Sequence, residues 1–172
     1  DKPGSQEPYK MKPQLFHGLA DGSSTRISVT PSDRYWTKNQ LGRTMAVVDW
    51  NGDSRPDLVT NHLDGPVALL NNNTVGGNSL QIELRGTSSE RDATGASITV
   101  TCGQQTWTQW QAGGDGFLCS NEPVLDFGLA NANSVDRLEV HWPSGQTQTF
   151  KNLEINQRYL IVEGASDPYS RD

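Results

Sequence analysis

Apolar and polar residues alternate along most of the second half of the chain. Leu80, Ile82 and Leu84 share one face of a stretch whose other face carries Gln81, Glu83 and Arg85. Ile98, Val100 and Cys102 repeat the pattern, and Leu138, Val140 and Trp142 stand opposite Arg137, Glu139 and His141. Leu125 with Phe127, Phe150, and Leu160 with Val162 complete the set. A period of two marks strands with one buried face. Trp107 to Gln111 is expected to pair with the Ile98 strand across a Gly103-Gln104 turn. Trp142-Pro143-Ser144-Gly145 puts Pro at the second and Gly at the fourth position of a turn. About seven strands at this spacing predict a β-sandwich or barrel over residues 79–164, followed by a polar tail over 165–172.

The first half is more broken. Residues 1–13 have no periodicity and read as a tail. Gln14–His17 is a short strand candidate, and Arg26–Thr30 alternates as a half-buried strand should. Pro31 to Gly42 reads as a loop carrying Tyr35 and Trp36. Thr44–Val48 and Asp57–Asn61 form a hairpin pattern, and Val67–Leu70 follows a tight Asp64-Gly65-Pro66 turn. Four or five short strands predict one antiparallel sheet over residues 14–73, the amount of structure in one propeller blade. Asn71–Asn78 is polar and Gly-bearing, as a linker is. No long segment has a helical period. The expected fold is therefore all-β: one propeller-blade-like antiparallel sheet plus a C-terminal β-sandwich or barrel domain.

The hairpin turn carries the most specific chemistry. Oxygen-bearing side chains fall at Asp49, Asn51, Asp53 and Asp57, loop positions 1, 3, 5 and 9. In a tight loop alternate side chains turn inward, so the first three can converge, with the Arg55 carbonyl and Asp57 closing the shell. Carboxylates this close repel unless a cation sits among them, and the hard cation that takes oxygens from a flexible loop is Ca²⁺. The loop is no EF-hand: Ser54 and Thr60 replace the required Gly and Glu, and the flanks read as strands. A solvated polar turn is the alternative.

Composition narrows the function classes. The net charge of −6 argues against a nucleic-acid partner, which needs Lys and Arg gathered on one face. No apolar run is long enough for a membrane-spanning helix. The start on Asp1-Lys2-Pro3-Gly4 looks internal to a longer chain. A bridge between Cys102 and Cys119 would close a loop of about 18 residues and contribute on the order of 3 kcal/mol; two free thiols are the alternative. A calcium loop and a Lys-poor, carboxamide-rich composition favour an exported protein and the disulfide.

Two resemblances cover most of the chain. Asp49–Leu58 resembles the calcium loop of FG-GAP/VCBS repeats, and Thr60–Asn72 resembles the end of such a repeat. The departure is Ser54, where Gly is usual and a left-handed backbone is expected. The second half is similar to the ASPIC/UnbV domain of cartilage-acidic-protein-like secreted proteins. The stretches that carry the likeness are Leu84–Ala96, Gly113–Pro123, Asp126–Leu129 and Val135–Gly145, with Asp126 where a His is common. The resemblance implies an extracellular accessory domain with no established catalytic residues, preceded in its parent by further propeller repeats.

Other constellations are weaker. His17, His62 and His141 lack metal spacing, and no Gly-x-Ser-x-Gly elbow is present. Asp115 and Asp126 could serve a glycosidase; Glu90, Asp92 and Asn121 could form a second cation site. Trp36, Trp107 and Trp110 could offer a sugar-stacking face, but Trp107 and Trp110 point to opposite sides of one strand. The resulting expectation is an exported, Ca²⁺-binding, non-catalytic interaction module whose partner is an extracellular protein or glycan. The rival is a polysaccharide-acting hydrolase using carboxylates of the second domain.

Overall fold

The computed structural model describes residues 9–19, 21–28 and 34–171. Its elements are β1 (Phe16–Gly18), β2 (Ser24–Arg26), α1 (Arg34–Thr37), β3 (Gly42–Val48), β4 (Asp57–His62), β5 (Ala68–Leu70), β6 (Asn78–Arg85), β7 (Ser97–Cys102), β8 (Gln105–Trp110), β9 (Leu125–Ala130), β10 (Val135–His141), β11 (Thr147–Leu153), β12 (Gln157–Val162) and β13 (Tyr169–Arg171). Among the described residues the protein is all-β apart from one helical turn.

Residues from 78 onward form two four-stranded sheets, ordered β11-β10-β7-β8 and β13-β12-β6-β9. All pairings are antiparallel except β12 on β6. The faces that meet carry the alternating apolar residues: Leu80, Ile82, Ile98, Val100, Phe127, Leu129, Leu138 and Val140 are all buried. Gln109 Nε2 donates to the Asp126 carbonyl at 2.6 Å and ties edge strand β8 to edge strand β9 of the other sheet.

The turns follow their residues. Gly103 closes the β7–β8 hairpin at φ 58°, so that Cys102 faces Gln105 and Ile98 faces Gln109. In the Trp142–Gly145 turn, the Gly145 N–H donates to the Trp142 carbonyl at 2.9 Å, with Gly145 at φ 88°. An L-residue would resist both backbones.

Strand β12 differs from expectation by one residue. Tyr159 and Ile161 are buried, whereas Leu160 and Val162 are only half-buried on the outer side. The run Tyr159-Leu160-Ile161-Val162 is apolar throughout, so period two has no phase there. Arg158 sets the phase: it faces outward and pairs with Glu83 at 3.5 Å and Glu122 at 2.7 Å. The stretch read as a polar tail also differs, since β13 pairs with the outer edge of β12.

The first half yields two separate small sheets rather than one of four or five strands. Strands β1 and β2 form a hairpin of their own, while β3-β4-β5 form a three-stranded antiparallel sheet. Val29 and Thr30 of the expected strand lie outside the described residues, as do residues 1–8 of the expected tail. Tyr35 and Trp36, expected in a loop, lie on α1, their rings edge to face at 5.3 Å. Tyr35 donates its O–H to Thr60 Oγ1 at 2.9 Å and thereby seats α1 on β4.

Cys102 and Cys119 are free thiols rather than a bridge. Cys102 is buried at the turn end of the β7–β8 hairpin, whereas Cys119 lies in the loop that leaves the hairpin's open end. The Cys119 thiol donates to the Met45 carbonyl at 3.0 Å instead. Burial, with Asp136 nearby, pushes the Cys102 thiol up and keeps it protonated.

Candidate functional site

The hairpin turn between β3 and β4 is where the sequence concentrates carboxylates. Gly52 at φ 71° and Ser54 at φ 61° bend it. Ser54 thus takes the left-handed backbone expected at its position, a conformation that is uncommon for a residue with a Cβ. Its amide is used: the Ser54 N–H donates to Asp49 Oδ2 at 2.8 Å.

Asp49, Asn51 and Asp53 come together. The Asp53 N–H lies 3.1 Å from Asp49 Oδ1 and 3.2 Å from Asn51 Oδ1, so two acceptors converge on one donor. Asn51 Nδ2 donates to Asp53 Oδ2 at 2.7 Å. Asp53 also accepts the Arg55 N–H at 3.0 Å and the Arg55 guanidinium at 2.5 Å. Burial works against the Asp53 anion. The bonds from Asn51 and Arg55 outweigh it and hold the carboxyl below its usual range.

Asp57 does something else. It is fully buried, and its two oxygens accept the N–H of Trp50 at 3.1 Å and of Asn72 at 2.6 Å. That clasp closes the turn and anchors the chain after β5. Arg55 reaches the same place, its Nε donating to the Asn72 carbonyl at 3.0 Å. Among the described residues, no three His, Cys, Asp or Glu side chains stand together as a metal-ligand group. As built, the loop's negative charge is met by backbone N–H groups and by Arg55. The side-chain oxygens that gather are those of Asp49 and Asn51, on the Asp53 N–H, while the Asp53 carboxylate beside them is turned to Asn51 Nδ2 and Arg55. Asp57 does not share that point.

The turn is also fastened to the sandwich. Gln81 of β6 donates through Nε2 to Asp49 Oδ2 at 3.2 Å and to Asp126 Oδ1 of β9 at 2.8 Å. The Asp49 N–H donates to Glu122 Oε2 at 3.1 Å. Residues 121–122 line up beside β3: the Val47 N–H donates to Asn121 Oδ1 at 2.8 Å, and the Glu122 N–H donates to the Val47 carbonyl at 3.0 Å. Strand β3 is an edge, and this pairing covers it. Asp126 is left with excess negative charge around it. Burial, with Glu122 and Asp49 close by, raises its carboxyl despite the bond from Gln81.

Sequence reasoning missed these partners of the turn. Gln81 and Glu122 stand far from the loop in the chain, and no local pattern links them. The pair Asp115 and Asp126 does not converge on one cavity: Asp115 lines a cavity beside Trp110, whereas Asp126 lines one beside Arg55 and Asn156. Of Glu90, Asp92 and Asn121, only Asp92 and Asn121 line a common cavity, and Glu90 stands outside it. Glu90 accepts the Asp92 N–H at 3.1 Å within its own turn, and Asn121 serves Val47. His141 is exposed and pairs with Glu139 at 2.9 Å.

A carboxylate that no local sequence pattern marks accepts five hydrogen bonds, more than any other carboxylate among the described residues. Glu163, just after β12, accepts the N–H groups of Thr87, Ser88 and Ser89 at 2.9, 2.8 and 2.6 Å on Oε2. Its Oε1 accepts the hydroxyls of Ser89 at 2.9 Å and Ser144 at 2.5 Å. Burial alone would raise its pKa. The bonds from Ser144, Ser89 and Thr87 override that and bring it down to about 2.

Fold and site define an all-β sandwich with a small sheet clipped to it through one acidic hairpin turn. Residues 86–168 match the family model described as ASPIC and UnbV. The match opens on Gly86 and takes in the Glu163 clasp, but it leaves out β6, the strand that carries Gln81. No curated protein matches the chain.

Proposed function

We propose that this chain is an exported, non-catalytic recognition module in which the turn at residues 49–57 fastens a small sheet to an ASPIC/UnbV-like sandwich. The observation that carries the reading is the double attachment of Asp49, through its N–H to Glu122 and through Oδ2 to Gln81. The likeness of Asp49–Leu58 to FG-GAP/VCBS loops supports Ca²⁺ as the ion that strengthens this fastening. Asp49, Asn51 and Asp53 would hold it, and it would offset the repulsion that raises Asp126. The exposed Met45, Leu63, Val67 and Leu69 on or beside the small sheet suit a neighbouring repeat of the same kind. The partner recognised is an extracellular protein or glycan.

Thermal unfolding with added Ca²⁺ and with chelator tests the metal. A ligand that binds only the folded state raises the midpoint, by about 2.7 kcal/mol of stability at a hundredfold excess over Kd. Asp53→Ala abolishes that rise; because it also removes the bonds from Asn51 and Arg55, the comparison is between the midpoints of that variant with Ca²⁺ and with chelator. A midpoint indifferent to Ca²⁺ in the unsubstituted protein removes calcium from the reading.

A further inference from the structure

The open end of the β7–β8 hairpin carries a second polar cavity, apart from the acidic turn. Its volume is about 310 Å³, and Trp110, Gln111, Asp92, Asp115, Ser120 and Asn121 line it. That volume is at the small end of ligand cavities, which run from about 300 to 1,000 Å³. Two features of its wall are unusual.

Trp110 is the last residue of β8 and is 67% exposed, whereas Trp107 on the same strand packs against the core. An indole left in water at the rim of a polar cavity is a stacking surface without a partner. Gln111, next in the chain, is only 9% exposed. Its backbone is satisfied by Ala96 and Gly95. Its side-chain oxygen is sealed from solvent and has no hydrogen-bond partner. A buried amide oxygen without a partner is unfavourable, and a hydroxyl bound in the cavity that Gln111 lines would supply one.

The remaining groups suit hydroxyls as well. The carboxylate of Asp92 is largely exposed, with a 3.5 Å contact to Arg85. Asn121 uses its oxygen on Val47, which leaves its NH₂ as a donor toward the cavity it lines. Carboxylate acceptors, amide donors and one flat aromatic face form the set that binds a neutral sugar ring, whose C–H face stacks while its hydroxyls bond at the edge. Three carboxylates line the wall, Asp92, Asp115 and Glu122, of which Glu122 is paired with Arg158 at 2.7 Å, and this acidic set disfavours uronates and sulfated sugars.

We propose that this cavity is a binding subsite for a neutral sugar unit, with Trp110 as the stacking platform and Gln111, Asp92 and Asp115 as hydrogen-bonding groups. The inference rests on the recognition-module reading and names the partner class for it.

Calorimetric titration of the full chain with cellohexaose, mannohexaose and chitohexaose, and with hexagalacturonate as the anionic control, tests it. At least one neutral oligosaccharide is expected to bind saturably, and more tightly than the galacturonate. Trp110→Ala should weaken that binding about tenfold or more with an unchanged melting midpoint, since the side chain is exposed, and Trp110→Phe should restore part of it. No saturable binding by any neutral probe overturns the proposal. So does tighter binding of the anionic control, or full affinity in Trp110→Ala. The calcium test reads a melting midpoint and this one reads a sugar isotherm, so the failure of either reading is visible separately.

Discussion

In the sandwich, the largest side chains removed from water are Phe127, Leu80, Ile82, Ile98, Leu129 and Leu138. In the small β3-β4-β5 sheet, the side chain removed most completely is the carboxylate of Asp57. One unit rests on apolar area. The other rests on polar anchors: Asp57 on Trp50 and Asn72, Tyr35 on Thr60, and Val47 on Asn121 and Glu122. Apolar burial is additive and insensitive to direction, so the sandwich can form from alternation alone. Hydrogen-bonded anchors contribute little net free energy each, yet they are unfavourable to break once buried. The small sheet is therefore positioned by its neighbour more than it is stabilised by itself.

The widest gap between the two units should appear on truncating apolar residues. Phe127→Ala is expected to destabilise the protein by about 4 kcal/mol, as deletions of buried aromatics do. Leu69→Ala, on the exposed face of β5, should change stability by less than about 1 kcal/mol. Urea unfolding curves of the two variants measure both. Similar losses would mean that something covers the small sheet in solution.

Acid sharpens the comparison from the sandwich side. Glu163 has a folded pKa near 2 against an ordinary value of 4.5. Its contribution to stability is therefore full above the ordinary value and is lost as pH falls from there through about 2. Glu163→Gln removes that contribution and should flatten the pH dependence across this window. Glu163→Ala, which also strands the N–H groups of residues 87–89, should cost about 3 kcal/mol at neutral pH. An unaltered acid profile in the Gln variant would show that the clasp does not form as described.

The smallest effect concerns the seam. Asn121→Ala removes the acceptor for the Val47 N–H and should weaken the attachment of β3 by about 1–2 kcal/mol. Global unfolding should barely register it. Hydrogen exchange should: the Val47 amide is expected to exchange faster by about tenfold or more, while amides of β6 and β10 stay protected. Equal acceleration in both places would mean that the two units open together.

Much of this was legible in the chain. Leu80-Gln81-Ile82-Glu83-Leu84 and Leu138-Glu139-Val140 announce strands because each has two chemically different faces. The Gly103 and Pro143–Gly145 turns announce themselves through residues that few other turns accept. The acidic turn is equally local: Asp49, Asn51 and Asp53 sit two apart and converge because the chain between them is short. Ser54 in left-handed backbone follows from the same loop geometry.

Tertiary structure decided the rest, for one physical reason: alternation says which residues share a face, but not what covers that face. Where both faces are apolar, as in Tyr159-Leu160-Ile161-Val162, only the pairing of Arg158 with Glu83 and Glu122 chooses the inner side. Gln81 and Glu83 look solvent-facing in the pattern, yet they are buried because the acidic turn and three guanidinium groups close over them. Cys119 could pair in principle with Cys102, but the loop that carries it is committed to β3 through Met45 and Val47. Glu163 became the clasp of three backbone amides only when residues 87–89 and 163, far apart in sequence, met at one end of the sandwich. Local residue chemistry determined the strands, the turns and the cluster of carboxylates. Long-range contact determined which of those groups are buried, what they hold, and which aromatic ring is left facing water.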